Sequence, residues 1–238
     1  MNNEIDPQSN NVYPDFETEQ PIWDDLSDPT RILIYGGGGH GKMVIDLLRS
    51  IGTYQIAGII DDGLPIGSKI MDQIVLGGGD ALGSLYAKGI RLSTNAVAGI
   101  GNIRIRIMIF KRLAEAGFFF PSLVHFKATL EPGAVLSPGV QVFAHAYVGS
   151  EAVIGFGSII NTGTIISHDC AVGKYVVISP GAILAGNVQV GDGALVGMGV
   201  TVNLGLKIGR AARIGNGATV KADVPDNGVV RAGTIWPK

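Results

Sequence analysis

The chain has 238 residues, 18 Lys and Arg against 20 Asp and Glu for a net charge of −2, and 46% hydrophobic residues. No stretch approaches the roughly 18 uninterrupted apolar residues of a membrane span, and no basic segment followed by an apolar core opens the chain, so insertion and a secretory signal are not expected. The single cysteine, Cys170, rules out an internal disulfide and fits a reducing, cytoplasmic setting.

The charge is unevenly placed. Residues 1–30 hold eight acids (Glu4, Asp6, Asp15, Glu17, Glu19, Asp24, Asp25, Asp28) and no Lys or Arg. With few apolar residues, this start reads as a mostly disordered acidic arm, with Ile22, Trp23 and Leu26 as possible docking points.

From Arg31 the pattern becomes alternating strand and helix, predicting a small Rossmann-like α/β domain over residues 31–117. Arg31–Tyr35 reads as a strand, followed by Gly36, Gly37, Gly38, Gly39, His40 and Gly41, and then by Met43, Val44, Leu47, Leu48 and Ile51 at helical spacing. Gln55–Ile60 reads as a second strand closed by Asp61 and Asp62. A weak helix over 81–88, a third strand near 95–100 and a helix over 103–116 capped by Asn102 complete the unit. A glycine run between a strand and a helix lets backbone amides approach phosphate oxygens beside a helix N-terminus. The alternatives are a nucleotide or nucleotide-linked sugar, or a tight turn with no ligand. His40 meets a phosphate or sugar hydroxyl, or sits in the first helical turn. Asp61 and Asp62 accept bonds from a nucleoside, or are exposed strand-end acids.

Residues 123–224 then repeat every six, through seventeen hexads of the form IINTGT IISHDC AVGKYV VISPGA ILAGNV. The second position is always aliphatic and the sixth small or aliphatic. A hexad cannot bury its own apolar face, so neighbouring coils must stack into one core. Three strand-and-turn units close a triangular coil, and the third-position glycines (Gly149, Gly155, Gly173 and others) are expected to supply open backbone conformations at its corners. The predicted second domain, 118–238, is therefore a parallel β-helix. Spacing does not give its hand.

Polar residues that break the repeat mark its chemistry. His168 takes an outward position, followed by Asp169 and preceded by Asn161, and Gly186 lies eighteen residues on, one coil above. The imidazole can take a proton from an amine or hydroxyl, Asp169 can orient it, and an amide near Gly186 can stabilise an oxyanion. A lone surface histidine is the plainer reading. Cys170 falls at an inward position and reads as core. The histidines lack metal-ligand spacing, so no metal is expected. Lys207, Arg210, Arg213 and Lys221 make the last coils basic, fit either for coenzyme A phosphates or as scattered solvated charge; without interleaved aromatics, nucleic acid is not an expected partner.

Together YGGGGHGK, GIIDD, GIGN, IINTGTIISHDCAVG, ISPGAILAGNVQVG and VPDNGVV resemble the bacterial sugar O-/N-acyltransferases of hexapeptide-repeat type. These include the sialic-acid O-acetyltransferase-like proteins and the nucleotide-linked 4-amino-sugar N-acetyltransferases of the bacillosamine and perosamine pathways. The resemblance covers residues 31–238 and implies a left-handed β-helix, a homotrimer and acetyl-CoA held between adjacent helices. It implies His168 as general base with Asp169 as its partner, Asn161 near the reacting groups and the Gly186 amide on the thioester carbonyl. It places the glycine loop and His40 on a nucleotide-linked amino sugar, with Asp61 and Asp62 near its nucleoside. The chain departs from the family at Ser167, where an acid is usual, at Val177, where a second histidine is common, and at its C-terminal ending. The implied reaction is acetyl-CoA-dependent N-acetylation of a 4-amino-4,6-dideoxy sugar by direct attack. Alternatives are O-acetylation of sialic acid or a related sugar, an NAD-binding nucleotide-sugar oxidoreductase, or an inactive scaffold.

Overall fold

The structure is a computed structural model that describes residues 13, 14, 16, 27–98 and 103–237. Ile22, Trp23, Leu26, the GIGN segment with Asn102, and Lys238 lie outside the described residues.

Five strands, β1 (Arg31–Tyr35), β2 (Gln55–Ile60), β3 (Lys69–Ile70), β4 (Gln73–Gly77) and β5 (Leu92–Asn95), form one sheet in the order β3-β4-β2-β1-β5. All pairs are parallel except β3 with β4. Helices α1 (Gly39–Ile51), α2 (Leu82–Ala87) and α3 (Ile103–Glu115) cover it. β1 and β2 fall where apolar periodicity puts them. β5 instead precedes the expected 95–100, because its buried Ser93, Thr94 and Asn95 are paired polar residues that hide the strand: Ser93 donates to the Leu33 carbonyl and Asn95 to that of Arg106. The β3–β4 hairpin turns through Met71 and Asp72, both at positive φ, without the Asn-Gly or Asp-Gly signal of such turns.

The rest is a left-handed parallel β-helix of three sheets with seven, five and seven strands. Partners lie eighteen residues apart, as in Ile159, Val177 and Leu195. Second and sixth positions form one continuous core, including Ile154, Ile160, Ile166, Cys170, Val172 and Ile178. Each buried aliphatic side chain contributes about 1.5–3 kcal/mol. The repeat also runs further than residue 224. The spacing between partners shortens from eighteen to sixteen residues between Val220 and Val224, after which Val229–Val230 and Ile235–Trp236 add two more strands. Trp236 packs over the end of the core and donates its indole N–H to the Asp223 carbonyl. A solenoid needs such a terminal cap.

The corner glycines work differently from expectation. Positive φ falls at the fifth position, as at Gly163 (φ 67), Asp169 (φ 59) and Asn187 (φ 57). Third-position glycines keep ordinary backbone angles but have no room: a Cβ on Gly155 meets the Gly173 carbonyl carbon at 2.6 Å, and one on Gly149 meets the His168 nitrogen at 2.8 Å.

First positions point outward and show which face is covered. On one seven-stranded face Gln141, Ile159 and Val177 are buried under the α/β domain, packed with Ile34, Val44, Leu47 and Leu48. On the other two faces Val135, Val153, Ile165 and Ile183 are exposed. Val177 thus fills part of the junction with the α/β domain. Phe119 pairs with Leu92 as the chain passes from sheet to helix. Nor is the acidic arm wholly solvated. Tyr13 and Phe16 pack on Tyr175 and Phe156, and Tyr175 donates its hydroxyl to the Pro14 carbonyl at 2.7 Å.

Gly155→Ala is expected to lower stability by about 2–3 kcal/mol through overpacking of the next coil. Gly163→Asn, at a position with nothing within 4 Å and a φ that Asn tolerates, is expected to cost under about 1 kcal/mol. Equilibrium denaturation of both variants checks the order.

Candidate active site

His168 and Asp169 stand on the corner between the strands Ile165–Ile166 and Ala171–Val172. The fifth-position corner holds Asp169 in the left-handed conformation, and its Oδ2 accepts from His168 Nδ1 at 2.6 Å. A carboxylate only accepts, so Nδ1 carries a proton, and in the neutral ring Nε2 keeps its lone pair. Both side chains are more than half exposed, at 63% and 57%, so the pair is open to a substrate. Gly186 lies directly beneath the ring: a Cβ there would stand 2.6 Å from both Cε1 and Nε2. Its N–H makes no hydrogen bond among the described residues, leaving an amide free beside the free imidazole nitrogen. The arrangement can remove a proton from a nucleophile and stabilise a developing oxyanion at one place.

Asn161 is not beside them. It lies on the preceding corner of the same coil, nearly buried, at the edge of a cavity of about 550 Å³ that also reaches Arg213 and Arg231. The four basic residues do not form one cluster either. Lys221 follows the strand Thr219–Val220 on the His168 edge, three coils on. Lys207 and Arg210 line a groove of about 660 Å³ on the sheet entered just after the His168 corner, while Arg213 starts a strand of the third sheet. A triangular coil puts residues three to six apart on different corners and faces, so nearness in sequence does not become nearness in space. Cys170 is buried, donates to the Ala185 carbonyl, and has its thiol pKa pushed up by burial.

The glycine loop turns at Gly36 (φ 116) and enters α1 through Gly38, which offers no side-chain cap. Gly41 allows the helix to start there, because a Cβ would lie 2.3 Å from the Gly36 carbonyl oxygen. Gly38 and Gly39 are exposed with nothing within 4 Å, so the uncapped helix end opens to solvent. The two aspartates part company. Asp61 faces the loop, accepting from the N–H groups of Gly37 and Gly63. Asp62 faces the opposite side of the sheet, where it accepts from the Tyr35 hydroxyl, the Gly79 N–H and Arg112. Those donors hold its carboxyl below the usual range, the Gly79 amide most. Alternation along the strand end separates adjacent residues.

His40 leaves the loop for the β-helix and meets Gln141 Oε1 at 2.9 Å. Crowding by protein atoms, and then the Arg106 charge, lower its pKa to about 4. Arg106 is fully buried, with its own pKa lowered to about 9 by desolvation; it donates to the Gly157 carbonyl, and its Nε and Nη1 have no partner among the described residues. Sequence reasoning missed Gln141 and Arg106. The available signal was a polar first position, Gln141, between the apolar Leu123 and Ile159 of the same column.

Residues 31–113 match the PglD N-terminal domain. The chain is similar to the perosamine N-acetyltransferase of Caulobacter crescentus, solved with CoA and GDP-perosamine: 31% identity, TM-score 0.80, covering 86% of this chain and 94% of that one. The chain belongs to the bacterial sugar acyltransferases of hexapeptide-repeat type. Similar too is the acetyltransferase domain of PglB from Neisseria gonorrhoeae, solved with acetyl coenzyme A, at 34% identity and TM-score 0.79 over 87% of this chain and 98% of that one. WeeI from Acinetobacter baumannii follows at 27% and 0.76, over 84% and 96%. No curated protein sequence matches the chain. The acyltransferase is thus an enzyme, and among its described residues no group of three or more His, Cys, Asp or Glu is placed to hold a metal. No described helix is long and apolar enough to cross a membrane.

Gly186→Ala is expected to displace the His168 ring and lower kcat by about 10²-fold or more, the scale of a lost general base, with an unchanged melting temperature. Steady-state kinetics with a thermal melt check it. The low pKa of His40 carries a pH signature. Between pH 6.5 and 4 the unfolded chain protonates this residue and the folded one does not, so acidification through that window removes up to about 3 kcal/mol of stability. Denaturation of His40→Asn across the same window is expected to show a shallower loss.

Proposed function

We propose that this acyltransferase moves an acetyl group from acetyl-CoA to the 4-amino group of a nucleotide-linked 4-amino-4,6-dideoxy sugar. The observation that carries the reading is the His168–Asp169 pair lying over Gly186, with a free imidazole nitrogen and a free amide on one exposed corner. The amine, deprotonated by Nε2 of His168, attacks the thioester carbonyl. Asp169 holds the ring and stabilises the imidazolium, and the Gly186 N–H donates to the carbonyl oxygen as it gains charge. The tetrahedral intermediate collapses to amide and CoA thiolate, which takes a proton, with no acyl-enzyme. The likeness to enzymes solved with GDP-perosamine and with acetyl coenzyme A favours an amine acceptor over a hydroxyl of sialic acid, and favours CoA over NAD as the second ligand.

On this reading the glycine loop, Gly36–Gly41, holds the sugar nucleotide, with phosphates at the uncapped start of α1 and Asp61 near the nucleoside. Asp62 is engaged by Tyr35, Gly79 and Arg112 on the other side and supports the fold of that strand end. CoA lies along the groove lined by Lys207 and Arg210, with Lys221 on the catalytic edge; Arg213, on another face, serves a neighbouring copy or solvent. A homotrimer in the cytoplasm completes the site. The uncovered apolar residues Val135, Val153, Ile165 and Ile183 are then buried between copies, and Asn161 of one copy approaches the His168 corner of the next.

Thiol release from acetyl-CoA is expected with one of the UDP-, GDP- or dTDP-linked 4-amino-4,6-dideoxy sugars and not with free sialic acid. His168→Ala is expected to lower kcat by about 10²–10⁴-fold. Release with sialic acid alone would replace N- by O-acetylation, and near-normal turnover by His168→Ala would remove His168 as base. Light scattering is expected to give three times the 24.8 kDa chain mass.

A further inference from the structure

The link between the glycine loop and the β-helix is a chain of hydrogen bonds whose directions can be worked out. Gln141 is 1% exposed, and its amide nitrogen donates to the Thr94 hydroxyl and to the Asn95 carbonyl, each at 2.9 Å. A carbonyl only accepts, so flipping the amide would set oxygen against oxygen. The orientation is fixed, and Oε1 faces His40. Since Oε1 also only accepts, His40 Nε2 must carry the hydrogen of their 2.9 Å contact. A neutral imidazole has a single N–H, so Nδ1 keeps its lone pair. It has no partner among the described residues and is not one of the sealed, unsatisfied atoms. Among the described residues the charged group whose field reaches the ring is Arg106, and with burial it keeps the ring neutral.

We propose that Gln141 is a positioning residue that locks His40 in its Nε2–H form, so that Nδ1 stands by the glycine loop as an acceptor for a ligand hydroxyl and not as a donor to its phosphate. A lone pair repels a phosphate oxygen and attracts the hydrogen of a ribose or sugar hydroxyl. The phosphates fall instead to the backbone amides at the start of α1. The ligand half rests on the reading that this loop takes a nucleotide-linked sugar; the tautomer half does not. The site thereby spans both domains: the α/β domain brings the imidazole, and the β-helix sets which nitrogen is protonated.

Two measurements on the full-length protein separate the halves. In ¹⁵N-histidine-labelled, ligand-free protein, long-range ¹H–¹⁵N spectra, assigned with His40→Asn, are expected to show His40 neutral with Nε2 protonated from pH 5.5 to 8. Gln141→Leu is expected to give a mixture of tautomers. An imidazolium at pH 6, or an Nδ1–H ring, would overturn the tautomer half. In calorimetric titrations with the UDP-, GDP- and dTDP-linked 4-amino-4,6-dideoxy sugars, His40→Leu is expected to weaken binding about fivefold, the worth of one neutral hydrogen bond. His40→Asn, whose Oδ1 replaces Nδ1 as acceptor, is expected to recover most of that loss, and acetyl-CoA affinity to stay unchanged in both. Equal binding by His40→Leu and wild type would overturn the ligand half alone. Absence of binding by the wild type would overturn it together with the sugar-nucleotide reading. A fivefold affinity that falls as pH rises through about 6.5, the ordinary histidine range, would point to an imidazolium on phosphate and also overturn it.

Discussion

Everything in this protein depends on how closely one coil of the β-helix lies on the next. Parallel strands stacked at about 4.8 Å leave no space at the corners for a side chain between two backbones. The third-position glycines record that: at Gly155, Gly191 and Gly209 a single methyl would meet the backbone of the coil above at 2.6 Å or less. The same contact makes the His168 corner. Gly186 is bare because the His168 ring occupies the space its side chain would fill, and so an imidazole and a free amide stand together on an otherwise regular surface.

The second constraint is the docking of the α/β domain on one of three faces. That face is chosen by outward residues, Ile159 and Val177, that would be costly to leave in water, and it brings the glycine loop against Gln141. The junction is also polar inside, through Gln141, Asn95 and Arg106, whose guanidinium meets no carboxylate among the described residues. A buried guanidinium without a carboxylate costs stability, and here its field helps keep His40 neutral. The chain anchors its acidic arm on the aromatic side of the same junction, where Tyr13 and Phe16 meet Tyr175 and Phe156.

Much of this was legible in the sequence, and the limits have physical causes. The hexads declared the solenoid because a six-residue period survives every substitution that keeps two columns apolar. The extra coil at VVRAGT was not read, because the spacing shortens by two residues between Val220 and Val224 and hides it from a strict six-residue period. Strand β5 was displaced because buried Ser, Thr and Asn carry no apolar rhythm. The His168–Asp169–Gly186 set was readable because one coil is eighteen residues and stacking is local. The placement of Asn161, Arg213 and the Asp61–Asp62 pair was not readable, because neighbours in sequence point to different corners or opposite faces.

The sequence by itself determined the β-helix, its core, the strand–glycine–helix opening of the first domain, and the stacked histidine and glycine. Each follows from periodicity or from contacts between residues one coil apart. Only the tertiary structure decided which face the first domain covers, why the corner glycines are needed, that Asp61 and Asp62 serve different sides, and that Gln141 sets the protonation of His40. These depend on surfaces meeting across the chain, where shape, desolvation and hydrogen-bond direction, none of them periodic, select the partner.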